Sequence, residues 1–334
     1  MTPKLTFTHL RFDAIASSDI HLGGCYAGSN LRNALAGVML QATCPQTQRR
    51  AKPTPEHAAV CPACWLLAAE VDPGSVVRAY AVIPPIPAPQ TIPAGEAFAF
   101  GLTLFGDGFQ FLPYFVLAVG EVGRVGVGRG RHEGYGRFSL QSIHAIDPLQ
   151  GHAQQLLHPG ENLVSVPDLH VDWQPVPALA RQLNAQIENS GQLIIKFHTP
   201  LRLVENKQLF KVPDFAVLFR RLLYRIDDLG RQCAGQERRE RAEIATFNQL
   251  ADQVRLVESQ TQWHEIWSWS GRKQNKTPHG GLVGTTIYWA ADWQPLLPWL
   301  IFGQGTQVGK SAVRGNGIYS IVNGKNPGYF DWLL

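Results

Sequence analysis

Two glycine-rich runs, each preceded by the same local signature, constrain this chain more than any other feature. Leu112-Pro113-Tyr114 stands ahead of the run from Gly123 to Arg131, and Leu297-Pro298-Trp299 stands ahead of the run from Gly303 to Gly317. Such an echo is what a duplicated unit leaves behind. The second run has five glycines in fifteen positions, so its backbone is free to adopt positive φ and to approach a ligand closely. Lys310 and Arg314 put two cations on it, and backbone N–H groups beside fixed positive charge suit a polyanion. Gly309-Lys310-Ser311 looks like the end of a phosphate-binding loop, G-x-x-x-x-G-K-[ST]. That pattern needs glycine where Gln304 stands, and the run leads into the strand-like Ile318–Ile321 instead of a helix. Nucleotide binding of that type is set aside.

Around these runs the chain reads β-α-β-β-α-β twice. In the first half a strand over 5–14 changes face between Phe7 and Leu10, as a bulge would cause. Ser29 caps a helix with Leu31, Ala34, Leu35, Val38 and Ala42 on one face. Strands over 76–82 and 97–105, a short apolar element at 112–117 and a strand over 136–143 follow. Residues 148–190 read as a linker with some helix at 178–187. The second half has a strand over 193–203 and a helix whose stripe is Phe215, Leu218, Phe219, Leu222, Ile226 and Leu229, with Pro213 in its first turn and Gly230 at its end. A polar helix over 236–257, strands over 262–270 and 282–290, a helix over 293–302 capped by Asp292 and ended by Gly303, and a last strand complete it. The expected class is α+β, two tandem ferredoxin-like domains at 1–147 and 191–334, the second with a C-terminal glycine-rich loop.

Composition narrows the function classes. Hydrophobic residues make up 45% and charged residues 17% of 334, an ordinary globular chain with a sizeable core. The net charge of +4 permits an acidic partner without demanding one. No apolar run is long enough for a membrane span, the first residues carry no secretory h-region, and five cysteines, an odd number, point to a reducing, cytoplasmic setting.

Several stretches carry a family likeness: Gly28–Leu35, Cys61–Leu66, Phe197–Arg202, Trp269–Lys273, Gly280–Gly284 and the terminal glycine run. In these, the chain resembles the RAMP superfamily of CRISPR-associated proteins, and most of all the endoribonuclease that cuts precursor CRISPR RNA within its repeats. The resemblance implies metal-independent cleavage: a base deprotonates a ribose 2′-OH, and in-line attack leaves a 2′,3′-cyclic phosphate. It implies CRISPR repeat RNA, the crRNA, as partner, with other CRISPR effector subunits as further partners and no required cofactor. Family members often carry histidine in the first helix, where this chain has Gly37-Val38, and before the final Val-Gly-Lys step, where it has Gln307. A non-catalytic crRNA-binding subunit is therefore the alternative.

For the base, His21 in the glycine-containing loop before the first helix is the leading candidate, since imidazole suits both proton transfers. His279 is the second candidate; Tyr26 is read as a packed aromatic whose phenol could assist by a hydrogen bond, and His132 in the first glycine run as a phosphate contact. Lys310 is placed to stabilise charge on the phosphorane. Arg32, Arg129, Arg131, Arg272, Lys273, Lys276, Gly309, Lys310 and Arg314 are expected to contact RNA, with Trp267 and Trp269 offering stacking surfaces. Arg220, Arg221 and Arg225 read as a solvated helix face. Cys44, Cys61 and Cys64 suggest a metal knuckle holding a structural zinc, with His57 or Cys25 as the fourth ligand.

Overall fold

The computed structural model describes residues 2–45, 53–68, 77–161, 163–270, 275–322 and 328–333. The first half runs β1 (Phe7–Ala16), α1 (Ala27–Thr43), two short helices α2 (Pro55–Val60) and α3 (Pro62–Ala68), β2 (Tyr80–Ile83), β3 (Ala97–Phe105), α4 (Leu112–Val125), β4 (Phe138–Asp147) and β5 (His152–Leu157). Its antiparallel sheet has the order β2-β3-β1-β4-β5. The second half runs α5 (Val176–Ile187), β6 (Gln192–Leu201), the hairpin β7 (Leu203–Glu205) and β8 (Gln208–Phe210), α6 (Phe215–Cys233), α7 (Arg241–Asp252) and β9 (Arg255–His264). It continues with the hairpin β10 (Trp267–Ser270) and β11 (Asn275–Pro278), then β12 (Gly281–Trp289), α8 (Leu297–Gly303) and β13 (Tyr319–Ile321). Its sheet is β13-β6-β12-β9. In both halves the fourth strand of the unit lies beside the first, then come the third and the second. This is the ferredoxin-like arrangement, present twice.

The helices follow their apolar periods. In α6 the whole expected stripe from Phe215 to Leu229 is buried, and Asp214 caps it by accepting the Val217 N–H at 2.9 Å. The helix continues past Gly230 to Cys233, because that glycine marks a close approach: a Cβ there would lie 2.6 Å from the Gln236 amide. In α1, Leu31, Ala34, Leu35 and Met39 face the first core; in α4, Phe115, Ala118, Val119 and Val122 do the same. The segment 148–190 adds β5 to the first sheet and sends Val176, Ala180, Leu183 and Ile187 of α5 into the second core.

Several expectations are corrected. The face change along β1 is no bulge: pairing with β3 is unbroken from Phe7↔Phe105 to Ile15↔Ala97. Both faces of β1 are covered instead. Leu10, Phe12 and Ala14 pack into the first core, whereas Phe7 meets Phe302 of α8, ring centroids 5.1 Å apart. A register shift does occur further on, between Asp13 and Ala14 against β4. The polar helix is shorter than expected, since Arg255 already begins β9, an exposed edge strand whose residues give no burial alternation. The next stretch is two strands, β9 ending at His264 and β10 beginning at Trp267. Asp292 serves a turn ahead of α8 by accepting the Gln294 N–H, and Gly303 is helical, with φ −65°. Its glycine is required by space, as a Cβ would meet Leu222 at 2.6 Å.

The arginines of α6 are not a solvated face. Arg220 pairs with Glu205 and Asp252, both at 2.9 Å. Arg225 is buried, its Nε donating to the Thr306 carbonyl, and burial pulls its pKa down to about 10. Asp227 is buried too and takes two bonds, 2.9 and 3.0 Å, from Arg239, whose guanidinium lies 4.2 Å over the Trp299 ring. Removing one partner strands the other charge in the core. Arg239→Met is expected to cost about 3–5 kcal/mol, read from the denaturant midpoint, and a double change of Arg239 and Asp227 to apolar residues is expected to cost less. A surface-like loss below about 1 kcal/mol would contradict the burial.

Candidate functional site

The entry into α1 runs past the first glycine run, and α1 itself begins against the second. Ahead of α1, His21 pairs in a short bridge with Arg129, whose N–H donates to the His21 carbonyl at 3.1 Å. Gly128 permits this approach, at φ +85° and where a Cβ would clash at 2.3 Å from that carbonyl oxygen. The His21 ring is half-buried, its Nδ1 3.2 Å from Thr91 Oγ1 and its face 5.4 Å from Tyr135. Gly28, in the first turn of α1, lies against the Arg314 carbonyl, and Arg314 Nη1 donates to Asn33 Oδ1 at 3.3 Å.

The cations expected on these runs divide by environment. Arg129, Arg131, Lys276 and Lys310 are exposed, and no carboxylate among the described residues pairs with them. Arg124, within the first glycine run, belongs to the last turn of α4 and is paired with Glu121 at 2.6 Å. Arg314 is half-buried beside Arg32; burial and that second guanidinium lower its pKa to about 10. Arg32 Nε is itself buried with no hydrogen-bond partner. With no carboxylate among the described residues paired to either, two crowded cations favour an anion between them. The expected contacts Arg272 and Lys273 lie outside the described residues; Lys276 lies on β11, in register with Trp269. Tyr26 OH accepts the Trp267 N–H at 3.4 Å, tying the start of α1 to that hairpin.

The terminal run is more consumed by the protein than its glycines suggest. Residues 303–308 are buried, and of the rest only 309–311, 313 and 314 reach the surface. Lys310 N–H donates to the Arg202 carbonyl at 3.0 Å, which leaves its side chain outward. Arg202 stands out only once the fold is seen: its Nη1 donates to the Gly280 carbonyl, and it lies 5.8 Å over Trp263. It ends the stretch Phe197–Arg202 that carries the family likeness, but nothing in that stretch gives it a role.

His279 is not placed as a base. It is buried, its Nδ1 sits 2.8 Å from Ser311 Oγ, and burial with the nearby Arg314 and Arg202 lowers its pKa to about 4. His132 is exposed and lines, with Arg131, Arg124 and Glu121, a cavity of about 440 Å³ whose other wall is Gly37, Val38, Gln41 and Ala42 of α1. The α1 wall offers no proton-transfer group.

Cys44, His57, Cys61 and Cys64 come together, their ligand atoms all within 4.8 Å of one another; Cys25 is not among them. The four could hold a metal ion. No described helix is long and apolar enough to cross a membrane.

Residues 195–319 match the family model of the CRISPR-associated endoribonuclease Cas6, and residues 5–169 match a second model, AF_1859_N, described as an N-terminal domain. A solved Cas6 product complex has a TM-score of 0.56 at 12% identity, covering 95% of this chain and 99% of that one. Thermus thermophilus Cas6 gives 0.51 at 12%, over 94% and 98%. A partial Cas6-RT-Cas1–Cas2 complex gives 0.58 at 11%, over 96% of this chain and 46% of that one. No curated protein matches the chain. The second half of the chain is thus similar to the Cas6 endoribonuclease family, and the whole chain shares the fold of solved Cas6 proteins.

The lowered pKa of His279 has a sign that can be measured. A group whose folded pKa lies below its unfolded value stabilises fully above about pH 6.5, and that stability is lost as pH falls toward 4. His279→Gln is therefore expected to lose less stability than the parent between pH 7 and pH 5 in denaturant titrations. Parallel losses would mean that His279 is not held neutral.

Proposed function

We propose that this protein is a metal-independent endoribonuclease that cuts CRISPR repeat RNA to give mature crRNA. The observation that carries the reading is the placement of α1: His21 precedes it against the first glycine run, and Gly28 and Asn33 begin it against the second. Cations from two distant stretches thus flank one helix start. The Cas6 family match supports the substrate class, and the solved Cas6 product complex shares the fold.

In this reading His21 takes the proton from the ribose 2′-OH, and that oxygen attacks the adjacent phosphorus in line. The phosphorus–O5′ bond breaks, a proton returns to the leaving 5′ oxygen, and a 2′,3′-cyclic phosphate remains. Only proton transfer is asked of the imidazole. Lys310 meets the charge that builds on the phosphorane. Arg129 and Arg131 on one side, Arg32 and Arg314 on the other, and Lys276 at the hairpin neutralise flanking phosphates; Arg272 and Lys273, outside the described residues, are given the same role from the sequence alone. Gly309 lets the backbone come close beside Lys310, at φ +87°.

A second reading has its own support. The α1 side of the cavity carries Gly37, Val38 and Gln41, none of which transfers protons at neutral pH. A chain that only holds crRNA within a CRISPR effector complex would need the cations and no base.

Labelled repeat RNA, incubated with the protein and EDTA added at the start, separates the two. Cleavage at one position with a cyclic-phosphate end is expected, and a substrate with a 2′-deoxy ribose at the cut should remain whole. Cutting of the deoxy substrate would sink the 2′-OH mechanism; tight binding with no cutting would select the second reading.

Two substitutions test the roles. His21→Ala is expected to slow cleavage by about 10²-fold or more with RNA affinity nearly unchanged, the scale of a lost acid–base group. A smaller effect would move the role to His132, in the cavity beside α1. Lys310→Ala should weaken binding to all repeat sequences alike and reduce the slope of log K against log salt by about 0.7, one phosphate contact on a single strand. An unchanged slope would leave Lys310 merely solvated.

A further inference from the structure

The cysteine–histidine cluster takes no part in the cleavage reading and stands on its own geometry. Cys44 is the residue that caps the C-terminus of α1, His57 lies in α2, Cys61 follows α2, and Cys64 lies in α3. Four ligands thus come from the end of one long helix and from two short ones. The Cys44 sulfur is 3.5 Å from His57 Nε2 and 3.7 Å from the Cys64 sulfur. Bonds of about 2.3 Å to sulfur and 2.0–2.1 Å to nitrogen at tetrahedral angles place two sulfurs about 3.8 Å apart and a sulfur and nitrogen about 3.6 Å apart. The two distances from the Cys44 sulfur match these edges, and the four ligand atoms all lie within 4.8 Å of one another. All five cysteines are free, so the approach of the sulfurs is not that of a disulfide.

We propose that Cys44, His57, Cys61 and Cys64 bind one zinc ion in a closed tetrahedral site, which joins the α2–α3 insert to the end of α1. Three thiolates and one imidazole are the donor set that selects zinc among common divalent ions. With four protein ligands the site has no open position, so its role is structural. The three thiols release their protons to solvent as the metal binds, which makes assembly weaker at low pH.

The local architecture explains why a metal is useful here. α2 has six residues and α3 seven, far below the length at which a helix holds itself. Apolar support is limited: Ala58, Ala63 and Leu66 reach the first core, and Trp65 stacks on Phe111 with centroids 4.7 Å apart. A zinc ion would fasten both short helices to Cys44. That residue directly follows the turn of α1 in which Gln41 and Ala42 line the cavity facing Arg131 and His132. The metal would thereby set one wall of that cavity without touching RNA.

The test uses the full chain, expressed with zinc supplied and purified under reducing conditions without chelator. Metal analysis is expected to give about one zinc per chain. Cobalt(II) put in its place should show thiolate-to-metal charge transfer and the ligand-field bands of a tetrahedral site. Prolonged treatment with a strong chelator should lower Tm by several degrees, and zinc should restore it, since binding energy here is folding energy. Cys64→Ser should lose the metal. If that variant fails to fold, His57→Ala keeps the test open. Its side chain is only half-buried, so the fold should survive by circular dichroism while cobalt binds at least about tenfold more weakly. The proposal is overturned by substoichiometric metal together with a Tm that ignores chelator and zinc. It is equally overturned by iron in place of zinc, or by a Cys44–Cys64 disulfide in the non-reduced protein. None of these outcomes depends on RNA cleavage, so failure here leaves the cleavage reading untouched, and the reverse also holds.

Discussion

Where residues 303–317 cross the first half, backbone meets backbone and leaves no room for side chains. A Cβ on Gly28 would lie 2.1 Å from the Arg314 carbonyl oxygen, one on Gly305 2.3 Å from the Phe7 ring, and one on Gly315 2.7 Å from Pro84. Gln307 is fully buried and spends its amide N–H on the Val82 carbonyl at 3.1 Å. Arg225 reaches from α6 to the Thr306 carbonyl in the same run. Buried polar groups of this kind are costly to leave unpaired, so they fix one arrangement of the two halves instead of a loose association. Everything proposed for RNA rests on that fixed placement, because the cations involved come from both halves.

The same contacts show why the sequence was only partly readable. The doubled strand order and the α6 stripe were legible, since apolar residues at helical spacing report which face is buried whatever lies opposite. The edge strand β9 was not: its side chains point to solvent, so Arg255–Val257 look no different from the polar helix before them. Arg225 was misread for a different reason. Its partner is a backbone carbonyl 81 residues away, and no local spacing encodes that. The glycines of the terminal run announced a close approach correctly but not its object. For Gly305 and Gly317 the neighbour is the protein itself, a phenylalanine ring and the Val308 carbonyl.

The candidate site was legible to a similar degree. Three cysteines and His57 were recognisable by type and spacing, and folding brings their ligand atoms together. Histidines were harder, because chemistry depends on environment that the sequence does not hold. His279 and His21 both stand near glycines, yet one is buried beside two arginines and the other is half-exposed in front of Thr91 and Tyr135. The crowding of Arg32 and Arg314 could not be read at all, since 282 positions separate them and their meeting depends on Gly28.

Charge itself is a matter of what folding leaves over. The chain has 30 lysines and arginines against 26 acidic residues, a balance that hardly marks a nucleic-acid binder. Folding then spends cations unevenly. Arg225 and Arg239 go into the interior, and Arg124, Arg220 and Arg221 are matched by carboxylates. Arg129, Arg131 and Lys310 stay exposed, while Arg32 and Arg314 lie close enough to repel, with no carboxylate among the described residues paired to either. A modest net charge thereby becomes a local excess around the start of α1, and local excess is what a phosphate chain senses within a Debye length of about 8 Å. Because these cations sit on backbone that glycine packing holds in place, little ordering would remain to be done when RNA binds. That preorganisation is what separates a binding site from a charged tail of the same composition.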